Sequence, residues 1–560
     1  MWASAGAGSP IKERRWACAD VADAACAGVL ASADPAVGFC GLQRSQWAWT
    51  EPKQSLVSQF DLVCGDEWKA QTANSFFFLG YLIGSGIFGQ LADIVGRKRS
   101  TLAAVAISAV FSAAGAACTS YWSWLAMRLV SGVGAAGAAL GAYILATEPI
   151  GPGWRGAAGI SSQIFFIVGE FTLVGVAAIW GSWRAQAGAC AALHAALLLL
   201  FPLIPESGRW LLVQGRKEEA MQVLETFARR NGTRAPDQPL VDIGRGPAGA
   251  GGAPAPRLTL GEALRDWHIL RRFLVLSYSW MVICMTYYGI SFALGSLGGS
   301  LKVSFMVSAI AELPSYLFTA WAIDHWGRHN TMAACTLLGG LACTACAFVR
   351  AGGAQMLLAS VGKFGVAGAF AIASIYTSEL FPTLIRSGVL GAANQAARVG
   401  GIVAPFIALA GTTHNSSLIP FLTYGLAALL SGLLIFTLPE TLGVPLPDTM
   451  QDMDNIASIF THKTLKTKGL KAAAASMFKP RVALGAPKPR GAAAKKRAAA
   501  GGPGQSVWAE DEAGAAPEGE DEARGLIPAH RPQGPPPGAG GGGDAGGGAG
   551  AGAASAGAGL

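Results

Sequence analysis

The sequence predicts an all-α membrane protein built from two pseudo-symmetric helical bundles. Three observations carry this. Charged residues make up 14% of the 560-residue chain, against roughly 25% in soluble domains. Mean hydropathy is +0.40, and the apolar residues come in blocks long enough to cross a bilayer, which takes about 20 residues per helix. Landmarks in the first part of the chain also return in the second, in the same order and at near-constant spacing.

Charge-poor blocks cover residues 73–92, 101–119, 123–146, 157–179 and 184–204, then 273–293, 302–323, 331–349, 354–376, 387–410 and 418–438, about 11 spans visible in all. The basic residues sort by loop. Arg97-Lys98-Arg99, Arg155, the 205–272 region, Arg328, Arg386 and the basic tail lie on one side, and few lie on the other. By the positive-inside rule the first side is cytoplasmic, and the C-terminus with it. The net charge of +8 is then a matter of topology, not of nucleic-acid binding. A multi-pass protein of the lipid bilayer is expected, in the plasma membrane ahead of an organelle membrane, acting as a monomer.

The repeat orders the chain. Asp93-Ile-Val-Gly-Arg97 ends one span, and Asp324-His-Trp-Gly-Arg328 ends another in the second half. Glu148 and Arg155 return as Glu379 and Arg386 at the same offset, while Pro205-Glu206-Ser207 returns as Pro439-Glu440-Thr441 at a slightly longer one. Near-constant register of three landmarks means two homologous halves. The expected division is an extracytoplasmic Cys-containing segment (1–70), a first bundle (71–204), a cytoplasmic linker (205–272), a second bundle (273–440) and a tail (441–560). Asp324 closes the second span of six, whereas Asp93 closes the first of five. The first half is therefore expected to lack its first helix, through truncation in preference to a true eleven-span form.

Within the linker, KEEAMQVLETFARR reads as a short amphipathic helix with Ala220, Met221, Leu224 and Phe227 on one face. Residues 235–256 read as flexible, and the low-complexity tail after Pro447 as disordered. Of ten cysteines, Cys18, Cys26, Cys40 and Cys64 precede the first span. An even set there suits one or two disulfides, with the pairing open. The other six fall in apolar blocks and read as small core residues. Cys343-x-x-Cys346 has no second ligand pair at zinc spacing, and no metal or organic cofactor is expected. Lys12, Arg14 and Arg15 open a stretch that imitates a signal peptide until Asp20 and Asp23 interrupt it.

Gly89 to Leu102, GQLADIVGRKRSTL, fits the loop motif G-x-L-x-D-x-x-G-R-[RK]. This is similar to the major facilitator superfamily, whose fold is two bundles of six helices; Ile94 departs from the usual basic residue. The physical logic is a cytoplasmic latch, with Asp93 and Arg97 at a tight glycine turn and Glu148/Arg155 nearby. Asp324, Arg328, Glu379 and Arg386 repeat the set. The duller alternative is scattered loop charge that only anchors topology. Closer resemblances follow in order over residues 40–450: SQFDLVCGDEWKAQTANSFFFLGYLIGSGIFGQLAD, PESGRWLLVQGR, VGKFGVAGAFAIASIYTSELFPTLIR and LPETLGVPLPDT. Together they resemble the organic cation, anion and zwitterion (carnitine) transporter family. That family carries a long cysteine-bearing external loop after its first helix, and residues 1–70 resemble the end of such a loop.

Four ionisable residues interrupt otherwise charge-free spans: Glu170, Glu312, Lys363 and Arg398. An intramembrane charge costs about 2.5–3.5 kcal/mol on insertion scales, so each should face protein, water or ligand. Arg398 shares a helical face with Ser387, Gly391, Asn394 and Gly401. Either the two cations pair with the two carboxylates, or one pair is structural and one cation is left for a solute; the second is the expectation. Trp280, Tyr287 and Tyr288 are candidates to stack on apolar or quaternary-ammonium groups, or else are core aromatics. Arg128 precedes Gly132-x-Gly134-x-x-Gly137, a spacing that suits close helix packing in a membrane and not dinucleotide binding.

Charge sign bears on the solute. The family resemblance implies an acidic residue at the position of Arg398 in cation-preferring members and Arg in anion- and carnitine-type members. VGKFGV and Glu312-Leu-Pro-Ser-Tyr316 also resemble the carnitine type. The expected function is carriage of small organic ions by alternating access, favouring carboxylate-bearing or zwitterionic solutes. The expected binding residues are Arg398, Lys363, Asn394, Glu170, Glu312, Tyr287 and Tyr288. Sodium and protons are the candidate coupling ions, with Glu170 and Glu312 as their sites. Three alternatives stand beside this: an organic cation porter, a sugar-type porter, since PESGRW and PETLG occur there too, and a non-transporting sensor or truncated, inactive gene model.

Overall fold

In the computed structural model the chain is described at residues 16–20, 23–32, 38–51, 54–150, 152–234, 260–294, 301–350, 352–413 and 416–442. The expectations for residues 235–256, for the signal-like start and for the tail after Pro447 lie outside the described residues. Five long helices form the first bundle: α3 (Glu67–Val95), α4 (Arg97–Ala117), α5 (Tyr121–Thr147), α6 (Pro152–Ile179) and α7 (Trp183–Leu198). Six form the second: α11 (Trp267–Ala293), α12 (Leu301–His325), α13 (Arg328–Phe348), α14 (Gly353–Leu380), α15 (Thr383–Thr413) and α16 (Leu418–Ile435). Among the described residues, ten helices are long and apolar enough to cross a membrane. The remaining block of the sequence, 387–410, lies within the 31-residue α15.

The halves repeat in space as they do in sequence. In the first, α4 packs on α5 and α7, and α3 on α5; in the second, α13 packs on α14 and α16, and α12 on α14. Between the halves, α3 meets α15 and α6 meets α12. Exchanging the halves turns one of these seams into the other, which is a pseudo-twofold relation. One element breaks it. Helix α11 lies against α14, α15 and α16, and its central window is 67% buried, against 17% for α6 and 11% for α7. Among the described residues no helix takes the matching place in the first bundle. The first bundle holds a cavity of about 270 Å³, lined by Phe77, Trp124, Arg128, Trp183, Cys190 and His194 among others.

Small residues let the helices approach. Gly80 and Gly84 of α3 touch the α5 backbone at Leu129 and Val133, while Gly132, Gly134 and Gly137 of α5 face Phe77, Ser108 and Phe88. The glycine run after Arg128 is therefore a packing surface.

Between the bundles run α8 (Gly208–Val213), α9 (Lys217–Asn231) and α10 (Leu260–Ala263). In α9 the buried Ala220 packs with Trp210 and Leu211 of α8. Ahead of the first bundle sits a small lobe. It holds β1 (Trp16–Cys18) paired antiparallel with β2 (Trp47–Trp49), α1 (Ala24–Ala31) and α2 (Leu56–Phe60). Trp16, Phe39, Trp47 and Trp49 form its core, and Cys18–Cys26 and Cys40–Cys64 close it as disulfides, each with Cα atoms 5.8 Å apart. It docks on the first bundle: the Trp183 amide donates to the Gln54 carbonyl at 3.1 Å, and Phe60 packs on Tyr121 and Trp183.

Candidate functional site: a charged seam between the halves

The seam is held by polar bonds between α3 and α15. Ser75 Oγ donates to the Ile402 carbonyl at 2.7 Å, and Gln395 Nε2 donates to Ser85 Oγ at 2.9 Å. Between those two levels lies Arg398, the middle residue of α15 and only 8% exposed. Its guanidinium carbon sits 4.1 Å from the centre of the Tyr81 ring, and Nη2 donates to Asn394 Oδ1 at 3.3 Å, one turn back. Tyr288 of α11 lies beside it, with the Phe78 ring centroid 4.5 Å from that of Tyr288. Among the described residues no carboxylate lies within ion-pair distance of Arg398, and its buried Nε has no hydrogen-bond partner. A buried cation without a counter-charge costs several kcal/mol.

A second cluster sits at the other seam. Lys363 Nζ of α14 lies 3.2 Å from Glu312 Oε1 of α12, with exposures of 1% and 0%. Nζ also donates to Ser291 Oγ at 2.6 Å and stands 3.4 Å over the Tyr287 ring. The Tyr287 hydroxyl reaches both oxygens of Glu312 at 2.9 Å, and that of Tyr316 reaches Oε2 at 3.3 Å. Glu312 is thus saturated with donors, as a buried charge must be. Glu170 of α6 lies alongside Glu312 and Lys363, and its buried Oε2 has no hydrogen-bond partner among the described residues.

The seven residues expected at the site thus divide. Lys363, Glu312, Tyr287 and Glu170 form one group, and Arg398, Asn394 and Tyr288 the other. They are joined where Tyr287 and Tyr288 meet edge to face at 5.1 Å. Trp280 is core: it is buried, and its Nε1 donates to Thr377 Oγ1 at 3.0 Å. Tyr81 and Ser291 were not legible as site residues. For Tyr81 a signal existed, since the repeat that sets Asp93 against Asp324 also sets Tyr81 against Glu312.

The loop residues expected to form a latch gather in two matching clusters. In the first half Arg97 bonds Asp93 and reaches Glu148 at 3.4 Å, Ser207 donates to Glu148, and Glu206 accepts the Lys98 amide at 2.9 Å. In the second, Arg328 lies 3.6 Å from Asp324 and 3.1 Å from Glu379, Thr441 donates to Glu379 at 2.7 Å, and Glu440 accepts the Arg328 amide at 2.9 Å. Gly96 (φ +112°) and Gly327 (φ +93°) make the turns, and a Cβ on either would strike Glu206 or Glu440. Arg97 and Arg328 reach Glu148 and Glu379 because the glycine turn brings the first residue of α4 or α13 back to the end of α5 or α14. Arg386 Nε donates to the Phe381 carbonyl at 3.3 Å, and the Arg155 side chain lies outside the described residues.

Comparison with known proteins agrees with this architecture. Residues 28–452 match the "Sugar (and other) transporter" family. Organic cation/carnitine transporter 4 of Arabidopsis thaliana is 36% identical over 432 residues, covering 75% of this chain and 80% of that protein. The chain belongs to the organic cation and carnitine transporter family of the major facilitator superfamily. The Organic cation transporter protein of Drosophila melanogaster is 34% identical, with 72% of this chain and 74% of that protein covered. Human Solute carrier family 22 member 13 is 31% identical, with 74% and 75% covered. Among solved structures, the xylose transporter XylE from E. coli in its inward-open conformation superposes with a TM-score of 0.53 at 16% identity, over 69% of this chain and 89% of that one. That likeness establishes the shared fold. This family member is a multi-pass membrane transporter of small organic solutes and not an enzyme.

Proposed function

We propose that this transporter carries carboxylate-bearing or zwitterionic organic solutes of the carnitine type by alternating access, with Arg398 receiving the carboxylate. The observation that carries the reading is the buried Arg398 guanidinium, which has no described carboxylate partner and lies at a seam between the halves. Asn394 and Tyr81 hold its orientation. The rings of Tyr288 and Phe78 offer faces for the apolar or quaternary-ammonium end of a solute. The Lys363–Glu312–Tyr287 cluster is read as the structural ion pair beside it.

Energetics favour a zwitterion. One charge moved through 100 mV is worth about 2.3 kcal/mol, so an inside-negative membrane opposes uptake of a net anion and is indifferent to a zwitterion. The two cytoplasmic clusters act as latches that hold that face while the halves rock about α3–α15 and α6–α12. The plasma membrane is the proposed location, and one chain the working unit. A second reading, organic cation carriage, draws on the name of the Drosophila relative; against it, a free cation would repel Arg398.

The test is uptake into proteoliposomes of labelled carnitine, benzoate and tetraethylammonium by the full chain and by Arg398→Asp. Carnitine and benzoate uptake should fall at least tenfold, equivalent to about 1.4 kcal/mol, with insertion intact. Unchanged carnitine uptake in that variant would sink the reading, and preferential tetraethylammonium uptake by the unaltered chain would favour the second.

A further inference from the structure

We infer that Glu170 holds a proton shared with Glu312 while the halves are packed together, and that solute movement is coupled to release of this proton. The inference rests on the transport reading above and supplies its coupling ion.

Charge counting comes first. Glu312 and Glu170 lie side by side with one lysine beside them, Lys363; Glu312 and Lys363 are fully buried and Glu170 is half-buried. With both carboxylates ionised, the group carries one uncompensated negative charge inside a membrane; with one proton added it is neutral. Two adjacent carboxylates in a low-dielectric site share a proton for this reason. Geometry then says which one takes it. Both Glu312 oxygens already accept hydrogen bonds, from Tyr287, Tyr316 and the Lys363 ammonium, all of which favour its ionised form. Glu170 has a buried oxygen with no described partner. As a carboxylic acid it needs fewer donors and gains one of its own to aim at Glu312.

The other ionisable neighbours do not alter this count. Tyr287 and Tyr288 from α11 and Tyr316 from α12 offer phenol hydroxyls, which bring no formal charge. From α5, Arg128 lies over the Phe77 ring at 4.4 Å, and Tyr143 lies beside Gly159. From α7, Cys190 and His194 line the chamber that Arg128 lines. A sodium ion is disfavoured here, because an ammonium group already occupies the face of Glu312 and a hard cation wants several oxygens free of such competition.

Coupling follows from position. Glu170 is on α6 and Glu312 on α12, the two helices of one seam. When that seam parts, water enters, the Glu170 O–H bond breaks, and the proton leaves to water. The ionised carboxylate stays behind, now hydrated. When the seam re-forms, Glu170 must take a proton back. The side of the membrane on which each event occurs sets the direction of coupling.

Two measurements test this on the full chain. Infrared difference spectra at neutral pH should show a protonated-carboxyl C=O band that shifts in Glu170→Asp and disappears in Glu170→Gln. A spectrum without such a band, or a band indifferent to both substitutions, overturns the proton site without any solute being involved. In proteoliposomes holding a luminal pH dye and no sodium, a carnitine gradient should drive a pH change, and an imposed pH gradient should change the carnitine rate several-fold. Glu170→Gln should lose both responses, while Arg398→Lys should keep the ratio of proton to solute flux. Carnitine flux without a pH change, or a Glu170→Gln variant that still responds to the gradient, overturns the coupling. Failure of the Arg398 reading looks different: carnitine flux survives Arg398→Asp while the carboxyl band still decides Glu170.

Discussion

The two halves are near copies at their charged loop ends and strangers in their interiors. At the loops each residue of one cluster has its counterpart in the other: Asp93 and Asp324, Arg97 and Arg328, Glu148 and Glu379, Glu206 and Glu440, even Ser207 and Thr441. Shifted by the offset that relates Asp93 to Asp324, Lys363, Glu312 and Arg398 fall on Gly132, Tyr81 and Ile167, and Glu170 falls on Gly401. The loop clusters have stayed symmetric. The interior has not: its charged residues have no charged counterparts at the matching positions. Three of the four interior charges lie in the second half, whose core is also the better buried.

Three sets of substitutions press on that contrast. The largest effect is expected inside. Lys363→Met leaves Glu312 buried without its counter-charge, which should cost about 3–5 kcal/mol and show as a marked fall in thermal stability in detergent. Adding Glu312→Gln to it should recover most of the loss, whereas the matching change in the first half, Gly132→Met, would act through helix packing and gain nothing from a second charge removal.

Next come the turns. Gly96→Ala and Gly327→Ala each force a side chain into a backbone region held almost only by glycine, at about 1–3 kcal/mol, with a collision against Glu206 or Glu440 in addition. The two should lower the melting temperature by similar amounts, and a large inequality would mean that the clusters are not equivalent. The smallest effect is expected at the latches. Arg97→Ala and Arg328→Ala each remove a part-buried ion-pair partner, at about 1 kcal/mol. That corresponds to about a fivefold shift between conformers, read as altered accessibility of an introduced cysteine on the cytoplasmic face.

The fold was legible because a bilayer imposes length and apolarity on every span, and because the repeat carries its own register. The interior was legible only as a set of charges. Which charge meets which depends on the rotation of helices far apart in sequence, so the Lys363–Glu312 pair and the isolation of Arg398 needed coordinates. That the tight turn at Gly96 delivers Arg97 to Glu148 also needed coordinates. The disulfides illustrate the same limit: four cysteines were visible, but only the β1–β2 ribbon and its Trp16–Phe39–Trp47 core bring Cys18 to Cys26 and Cys40 to Cys64.

The outer lobe is fastened to one half. Its contacts run from Phe60 to Tyr121 and Trp183, and from the Gln54 carbonyl to the head of α7. If the halves rock, it travels with the first bundle as a rider. A compact, cross-linked body on one arm of a rocking pair is a natural handle: whatever grips it grips the hinge motion as well.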